Sequence, residues 1–265
     1  MKCAEIIEEL NNLCPFEYAL DWDNSGLLIG DADKEIKSVF IAVDATDEII
    51  NEAINASADM LITHHPLIFS GVKSIVENDF IGRRISRLIK NDISYVAMHT
   101  NFDVSTMGYE AADKIGLDNS EVLETTFSEE GCDGEEVVEG IGRVGDLSFP
   151  QSLKDLSIVV KRAFGLEYVK VFGNEDTIVR RVAISPGSGK SMIDIAASKG
   201  ADVLITGDID HHSGIDANMR GLAIIDAGHY GIEKIFIQVV YEYLSRTYSG
   251  LKIYCENIRE PYIYI

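Results

Sequence analysis

Two adjacent histidines, His64 and His65, directly follow the apolar run 60–62. Pro66 restricts the preceding His65 to an extended conformation, which limits how far this loop can relax. Neighbouring loop residues point in different directions, and imidazole suits zinc, iron, nickel and manganese. The pair therefore predicts ligands for two metal ions, and the simpler alternative is a pair of polar loop residues.

A histidine and an aspartate, His99 and Asp103, follow the next apolar run, residues 94–98. We expect the carboxylate of Asp103 to lie at the same sheet edge as the first pair and to bridge two metals. His99 is a candidate metal ligand or a proton-transferring group beside the metals. Its alternative is a buried histidine with satisfied hydrogen bonds.

A third pair, His229 and Glu233, follows the apolar run 222–225 in a turn bracketed by Gly228 and Gly231. If a helix begins near His229, residues four apart share one helix face and can reach one metal. This spacing alone is weak evidence, but three such segments at strand ends together predict a metal centre.

Segment 207–212 adds two aspartates and two histidines at the end of another apolar run. We expect some of them to face a substrate, with His212 and His99 as candidate proton carriers, whereas the aspartates alternatively mark a charged helix start. Two divalent ions would polarise a substrate oxygen and generate hydroxide near neutral pH. The residues thus predict the parts of a metal-assisted hydrolase.

An internal repeat organises the chain, because segment 28–63 aligns without a gap on segment 171–206 at a shift of 143 residues. Each copy contains an apolar strand, a helix and a second strand that is too apolar to be half exposed. We therefore predict an α/β fold of two similar, intertwined subdomains, with mixed, largely parallel sheets flanked by helices. The predicted halves are residues 1–126 and 127–265. Identical pairs include Gly30/Gly173, Ala53/Ala196, Ala58/Ala201, Asp59/Asp202 and Thr63/Thr206.

The remaining elements follow from hydrophobic periodicity and capping signals. Predicted helices span 3–14, 47–57, 79–91, 152–163, 190–199 and 231–248. Predicted strands span 39–43, 60–62, 94–98, 122–126, 137–144, 182–185, 203–205, 222–225 and 251–255. An acidic loop, 128–136, joins two of these strands, and the apolar tail 261–265 predicts a further strand or a subunit contact.

Composition narrows the function classes. The 265 residues carry a net charge of −21, which repels nucleic acids and anionic membranes, so we expect neither as a partner. No apolar run reaches the ~18 residues that span a membrane, and the acidic start does not match a signal peptide. The four cysteines are scattered through the sequence, which predicts reduced thiols and a cytoplasmic location.

Residues 185–191 resemble a P-loop, the phosphate-binding motif between a strand and a helix, but they do not match its spacing. The first glycine of that motif would fall at Ile184, so the spacing predicts a tight turn instead.

Six motifs together resemble one known family. They are DWDNSG at 21–26, THHP at 63–66, HTNFD at 99–103, GIGRVG at 140–145, TGD at 206–208 and DAGHY at 226–230. In this order they resemble the YbgI-like dinuclear metal-centre proteins, often catalogued as GTP cyclohydrolase I type 2 homologues, over nearly the whole chain.

The resemblance implies two divalent ions per subunit (iron, zinc, manganese or nickel) and a ring-shaped homohexamer, arranged as a trimer of dimers. It implies a short member without the inserted domain of longer relatives. The function hypotheses are a metal-dependent, cyclohydrolase-like hydrolase of an unidentified small molecule, a metal (iron) carrier or cofactor-assembly protein without turnover, and a regulatory scaffold. The residues that match the metal ligands of the family are His64, His65, Asp103, His229 and Glu233.

Overall fold

Two mixed sheets flanked by helices carry the chain in the computed structural model, which describes residues 1–130, 136–258 and 262–263. The chain forms two compact units. The first comprises Met1–Phe102 and the segment that begins at Phe236, and the second comprises Asp103–Ile235. The chain therefore leaves the first unit and later returns to it, whereas the repeat predicted a division at residue 126.

The elements fall into three stretches of chain. The first stretch contains α1 (Cys3–Leu13), β1 (Gly26–Ile29), β2 (Ser38–Ala42), α2 (Asp47–Asn55), β3 (Met60–Thr63), α3 (Phe80–Lys90), β4 (Ser94–Ala97) and the single turn α4 (Thr100–Phe102). The second contains a π-helix (Asp103–Met107), α5 (Gly108–Lys114), β5 (Leu117–Glu130), β6 (Glu136–Ser152), α6 (Leu153–Ala163), β7 (Lys170–Phe172), β8 (Ile178–Ser188), α7 (Met192–Ser198), β9 (Val203–Gly207), α8 (His211–Met219), β10 (Ala223–Asp226) and α9 (His229–Glu233). The third contains α10 (Ile235–Thr247) and β11 (Lys252–Cys255).

The sheet of the first unit has the strand order β1-β4-β3-β2-β11. Strands β4, β3, β2 and β11 are parallel, and β1 pairs antiparallel with β4. Helix α2 begins where Thr46 accepts a hydrogen bond from the backbone of Ile49, and α3 begins where Asp79 caps Gly82 in the same way. The apolar faces of both helices belong to one buried cluster with the sheet, so α2 and α3 cover it.

The sheet of the second unit has the order β5-β6-β8-β9-β10-β7. Strands β8, β9 and β10 are parallel, whereas β5–β6, β6–β8 and β10–β7 pair antiparallel. The prediction of largely parallel sheets therefore fits the first unit and fails for the second among its described strands. The physical reason is the long hairpin β5–β6, whose strands extend well beyond the predicted apolar cores at 122–126 and 137–144.

The repeat reappears in strand register. Val39 pairs with Met60 in the first sheet, and Val182 pairs with Val203 in the second, each exactly 143 residues later. Strands β1 and β7 also correspond, because each is an antiparallel edge strand beside the third parallel strand. The two sheets thus share the order edge strand, third, second and first parallel strand.

A half-buried carboxylate explains one identical pair of the repeat. Asp59 accepts hydrogen bonds from the backbone N–H groups of Lys37 and Ser38, at 2.8 and 2.9 Å. Asp202 accepts bonds from the equivalent backbone groups of Arg180 and Arg181, at 2.7 and 3.0 Å. The carboxylate before each second strand therefore ties that strand to the start of the first.

Other sequence predictions have mixed outcomes. The predicted helix 231–248 is interrupted at Lys234, between α9 and α10. Cys3, Cys14 and Cys255 are unbridged, and Cys132 lies outside the described residues, as does most of the predicted tail strand 261–265. Among the described residues, no helix is both long and apolar enough to span a membrane.

Candidate metal centre

Three imidazoles gather at the carboxyl edge of the first sheet. His64 and His65 follow β3 directly, and His99 follows β4, its parallel neighbour. Because parallel neighbouring strands end at the same edge, the three side chains converge there. One ligand nitrogen from each of them lies within 4.8 Å of the others. The ring centroids are 4.8 to 5.6 Å apart.

Each of these rings is oriented through its Nδ1 atom. The Nδ1 atom of His65 lies 2.9 Å from Oδ1 of Asp44, and that of His99 lies 2.7 Å from Oδ1 of Asp23. His64 places its Nδ1 atom 2.9 Å from the carbonyl oxygen of Met98. These partners accept hydrogen bonds from Nδ1–H, which leaves Nε2 as the nitrogen that would coordinate a metal.

Asp23 is the most strongly held carboxylate of this cluster, and its side chain is fully buried. Its Oδ2 atom accepts hydrogen bonds from the backbone and hydroxyl of Thr100 and from the hydroxyl of Ser25, at 2.6 to 3.0 Å. Burial opposes ionisation, but the hydrogen bonds from His99 and Thr100 outweigh it and hold the pKa of Asp23 well below its usual range. Asp23 is therefore a fixed anion behind His99.

The loop that follows β3 is pinned by hydroxyl groups. Thr63 and Tyr95 both donate hydrogen bonds to the carbonyl oxygen of His65, at 2.8 and 3.0 Å, and the backbone N–H of Leu67 donates to the Tyr95 hydroxyl. Burial raises the pKa of Tyr95 to about 12, so its hydroxyl remains protonated. This network fixes the backbone that carries the histidine pair.

In the second unit, His229 and Glu233 meet as their spacing predicted. Helix α9 begins at His229, which brings its Nε2 atom to 3.0 Å from Oε2 of Glu233. The Nδ1 atom of His229 lies 2.8 Å from Oδ2 of Asp208, whose backbone has a φ of 59°. Glu233 is buried, with 3% of its surface exposed. The unit therefore presents one imidazole and one desolvated carboxylate as a pair.

Glycines make room for this pair. A Cβ atom on Gly187 would lie 2.5 Å from Oε1 of Glu233, and one on Gly207 would lie 2.5 Å from the backbone nitrogen of His229. Gly187 lies in the segment that resembles a P-loop. Strand β8 continues through Ser188 there, and helix α7 begins only at Met192. This segment therefore differs from a phosphate-binding loop, and its backbone at Gly187 lies beside the carboxylate of Glu233.

Two further predicted residues, Asp103 and His212, lie in the second unit. Asp103 is half-buried and is the first residue of the π-helix, a kind of irregularity often found at functional sites. His212 is exposed in the first turn of α8, where its ring centroid lies 5.3 Å from that of His211. Their assignments as a metal ligand and as a proton carrier stay predictions.

Sequence reasoning did not single out Asp23, Asp44 and Asp208 as orienting partners of the histidines. Asp23 lies within the motif at 21–26, which was a usable signal. Asp44 follows β2 at the same carboxyl edge, but its pairing with His65 is visible only in three dimensions. Each of the three carboxylates accepts a hydrogen bond from the Nδ1–H group of one candidate ligand, an arrangement typical of metal-binding histidines.

The donor chemistry of both units fits a divalent transition ion. Imidazole nitrogen with carboxylate oxygen suits iron, zinc, manganese and nickel, and buried carboxylates offset the charge of such ions. The spacing of up to 4.8 Å in the histidine cluster suits donors that share one ion or serve two neighbouring ions. The structure therefore supports a metal site.

The fold and these clusters define an α/β protein with histidine and carboxylate groups arranged for metal binding. A family model described as Duf34/NIF3 (NGG1p interacting factor 3) matches residues 1–261, and the chain belongs to this family. A Streptococcus pneumoniae relative described as a GTP cyclohydrolase 1 type 2 homolog is 35% identical over 252 residues, which cover 93% of this chain and 91% of the relative.

Solved structures agree with this membership. A Bacillus cereus protein related to NIF3 matches with a TM-score of 0.89 and 26% identity, covering 100% of this chain and 99% of its own. The protein ybgI, of unknown function, matches with a TM-score of 0.82 and 24% identity, covering 99% of this chain and 100% of its own. The second likeness supports the shared fold only. The resemblance inferred from the six motifs is confirmed.

Proposed function

We propose that this protein binds two divalent metal ions and uses them to hydrolyse a small-molecule substrate. The observation that carries the proposal is the convergence of three oriented imidazoles within 4.8 Å at one sheet edge. Histidines whose Nδ1 atoms are engaged by carboxylates are expensive to arrange unless their Nε2 atoms serve a ligand. The proposed metal ligands, as the family resemblance implies, are His64, His65, Asp103, His229 and Glu233.

His99 is proposed as the proton carrier. A bound divalent ion supplies Lewis acidity, which polarises a carbonyl or phosphoryl oxygen of the substrate. Asp23 holds the Nδ1 proton of His99, so the Nε2 atom accepts a proton from the attacking nucleophile and returns it to the leaving group. This arrangement supports general acid–base catalysis. We keep His212 as a second candidate carrier.

The substrate class is proposed from relatives alone. Similar proteins are described as GTP cyclohydrolase 1 type 2 homologs, so hydrolytic opening of a purine nucleotide is the first reaction to test. We also propose a cytoplasmic location and a homohexameric ring.

The decisive experiment loads purified protein with iron, zinc or manganese and incubates it with GTP and a panel of phosphoesters. We expect metal-dependent turnover, and we expect His99→Gln to keep its metal while losing about 100-fold or more in rate. Absence of metal-dependent turnover on every compound would contradict the hydrolase proposal. A His99→Gln variant that loses its metal would instead make His99 a ligand.

Glu233→Ala tests the ligand set. We expect at least one metal equivalent to be lost by elemental analysis, because affinity depends on the number and identity of the ligands. Glu242→Gln is the control, since Glu242 is an exposed glutamate on α10 whose side chain accepts a hydrogen bond from Gln238. Full metal content in Glu233→Ala would remove Glu233 from the set.

A metal carrier is the alternative function, and chelator competition separates it from an enzyme. A carrier would release its metal to a competing chelator within minutes, whereas a catalytic centre would retain it for hours.

A further inference from the structure

Two exposed aromatic side chains flank His99 in the first unit. Trp22 and Phe69 are 56% and 55% exposed, and their ring centroids lie 5.8 Å apart at an angle of 43°. The ring of His99 lies 5.9 Å from that of Trp22 and 6.5 Å from that of Phe69, at interplanar angles of 72° and 65°. The three rings form a corner, which we call the aromatic corner.

The corner is held rigidly, although its faces are open. Trp22 immediately precedes Asp23, which is anchored by Thr100 and Ser25. The side-chain amide of Asn24 donates a hydrogen bond to the carbonyl oxygen of Ile68, which ties the Trp22 loop to the loop that carries Phe69. Adjoining exposed aromatic side chains on an ordered backbone form an apolar patch of the kind that ligands cover.

A cavity adjoins the corner on the Phe69 side. It has a volume of about 270 Å³ and is lined by residues 67–74 with Asp79 and Ile81. Lys73 and Asp79 offer one cation and one carboxylate along its wall. A ligand that contacts Phe69 can therefore place polar substituents in this cavity.

We propose that the aromatic corner binds a planar heteroaromatic ring and presents it to His99 and the adjacent metal ligands. Because the Trp22 and Phe69 rings lie 5.8 Å apart and are tilted by 43°, a planar ring stacks on one of these faces and packs beside the other, which covers exposed area of both side chains. A quaternary ammonium group, the other usual ligand of aromatic faces, would be repelled by divalent cations at His64 and His65. This choice of ligand rests on the proposed function, whereas the binding surface itself does not.

Trp22 is the sole tryptophan of the chain, so its fluorescence reports directly on the corner. We would titrate the full chain, both metal-loaded and metal-free, with guanosine, and use ribose and tetramethylammonium as non-aromatic and cationic comparisons. We expect saturable quenching by guanosine alone. Equal quenching by ribose, stronger binding of tetramethylammonium than of guanosine by the metal-loaded protein, or no saturable quenching by guanosine would overturn the inference.

Variants locate the binding. Phe69→Ala keeps the fluorescent reporter and should weaken guanosine binding at least about fivefold, the lower limit for loss of one stacked ring. Trp22→Ala, measured by calorimetry, should weaken it at least as much. Tyr254→Ala is the control, because Tyr254 is a partly exposed aromatic residue on β11, at the opposite edge of the same sheet. Wild-type affinity in both corner variants would overturn the inference.

The same experiment separates the two proposals. Guanosine binding by a protein that takes up no metal would contradict the proposed metal-dependent hydrolase and leave the aromatic corner supported. Stable metal binding with no guanosine binding would contradict the corner alone. Because Trp22 and Phe69 are exposed, thermal unfolding of both variants should match that of the wild type, which excludes misfolding as the cause of lost binding.

Discussion

Carboxylates paired with histidines are the recurring feature at the scale of single residues. Asp44, Asp23 and Asp208 each accept a hydrogen bond from the Nδ1–H group of a different histidine. Such a partner fixes the tautomer and the orientation of the ring, and it raises the basicity of Nε2. The carboxylates therefore set the tautomer and the orientation in which the Nε2 atoms can bind a metal or a proton.

Asp23→Asn should uncouple His99 from this arrangement. The amide cannot match a carboxylate that accepts bonds from His99, Thr100 and Ser25, so we expect a loss of about 1–3 kcal/mol in the free energy of unfolding. Urea denaturation measures this loss. Asp21→Asn is the control, because Asp21 is exposed two residues away. Equal stability of the two variants would contradict the buried-anchor role.

The acid dependence of stability gives Asp23 a second test. Its pKa is lowered in the folded state, so its contribution is present above the unfolded pKa of about 3.9 and is lost as the pH falls further. The stability difference between wild type and Asp23→Asn should therefore shrink below about pH 4. A difference that is constant from pH 7 to pH 3 would show that ionisation of Asp23 does not stabilise the fold.

Strand ends and the loops that follow them decide the geometry at the scale of elements. The histidine pair follows β3, His99 follows β4, and the turn before α9 follows β10. The hydrogen-bonded end of a strand therefore fixes the backbone position from which each group extends. Glycines then allow close approach of the backbone. Gly187 has a φ of 74° and faces the carboxylate of Glu233.

Gly187→Ala should displace Glu233. Its Cβ atom would lie 2.5 Å from Oε1, so we expect reduced metal content in addition to the cost of a left-handed alanine, about 1–2 kcal/mol. Gly200→Ala is a matched control, because Gly200 also has a φ of 74° but no atom of the described residues lies within 4 Å of its Cβ position. Elemental analysis should show metal loss in the first variant only. Equal metal content in both would contradict the contact.

The repeated turn predicts equal behaviour in the two units. Asp59→Asn and Asp202→Asn each weaken two backbone hydrogen bonds to one carboxylate oxygen. We expect each variant to lose about 1–3 kcal/mol of unfolding free energy, because the backbone donors would lose charged acceptors. Chemical denaturation of both variants tests this. A large effect at one position and none at the other would show that the repeated carboxylate has diverged in role.

Charge and assembly belong to the scale of the whole molecule. A net charge of −21 on a 29.2 kDa chain favours divalent cations and opposes polyanions. We predict a homohexamer, so light scattering at neutral pH should give a mass of about 175 kDa, six times that of one chain. A monomeric mass at micromolar concentration would contradict the assembly. The measurement should be repeated after chelation to separate assembly from metal binding.

The sequence by itself determined the α/β class, most element positions and the repeat, because hydrophobic periodicity and capping are local properties. It also determined the pairing of His229 with Glu233, since a helix brings residues four apart together. Only the tertiary structure decided what lies behind each imidazole and beside His99. Asp44 is 21 residues from His65, and Asp23 is 76 residues from His99. No local pattern encodes these contacts, because they depend on which strands become neighbours in the sheet.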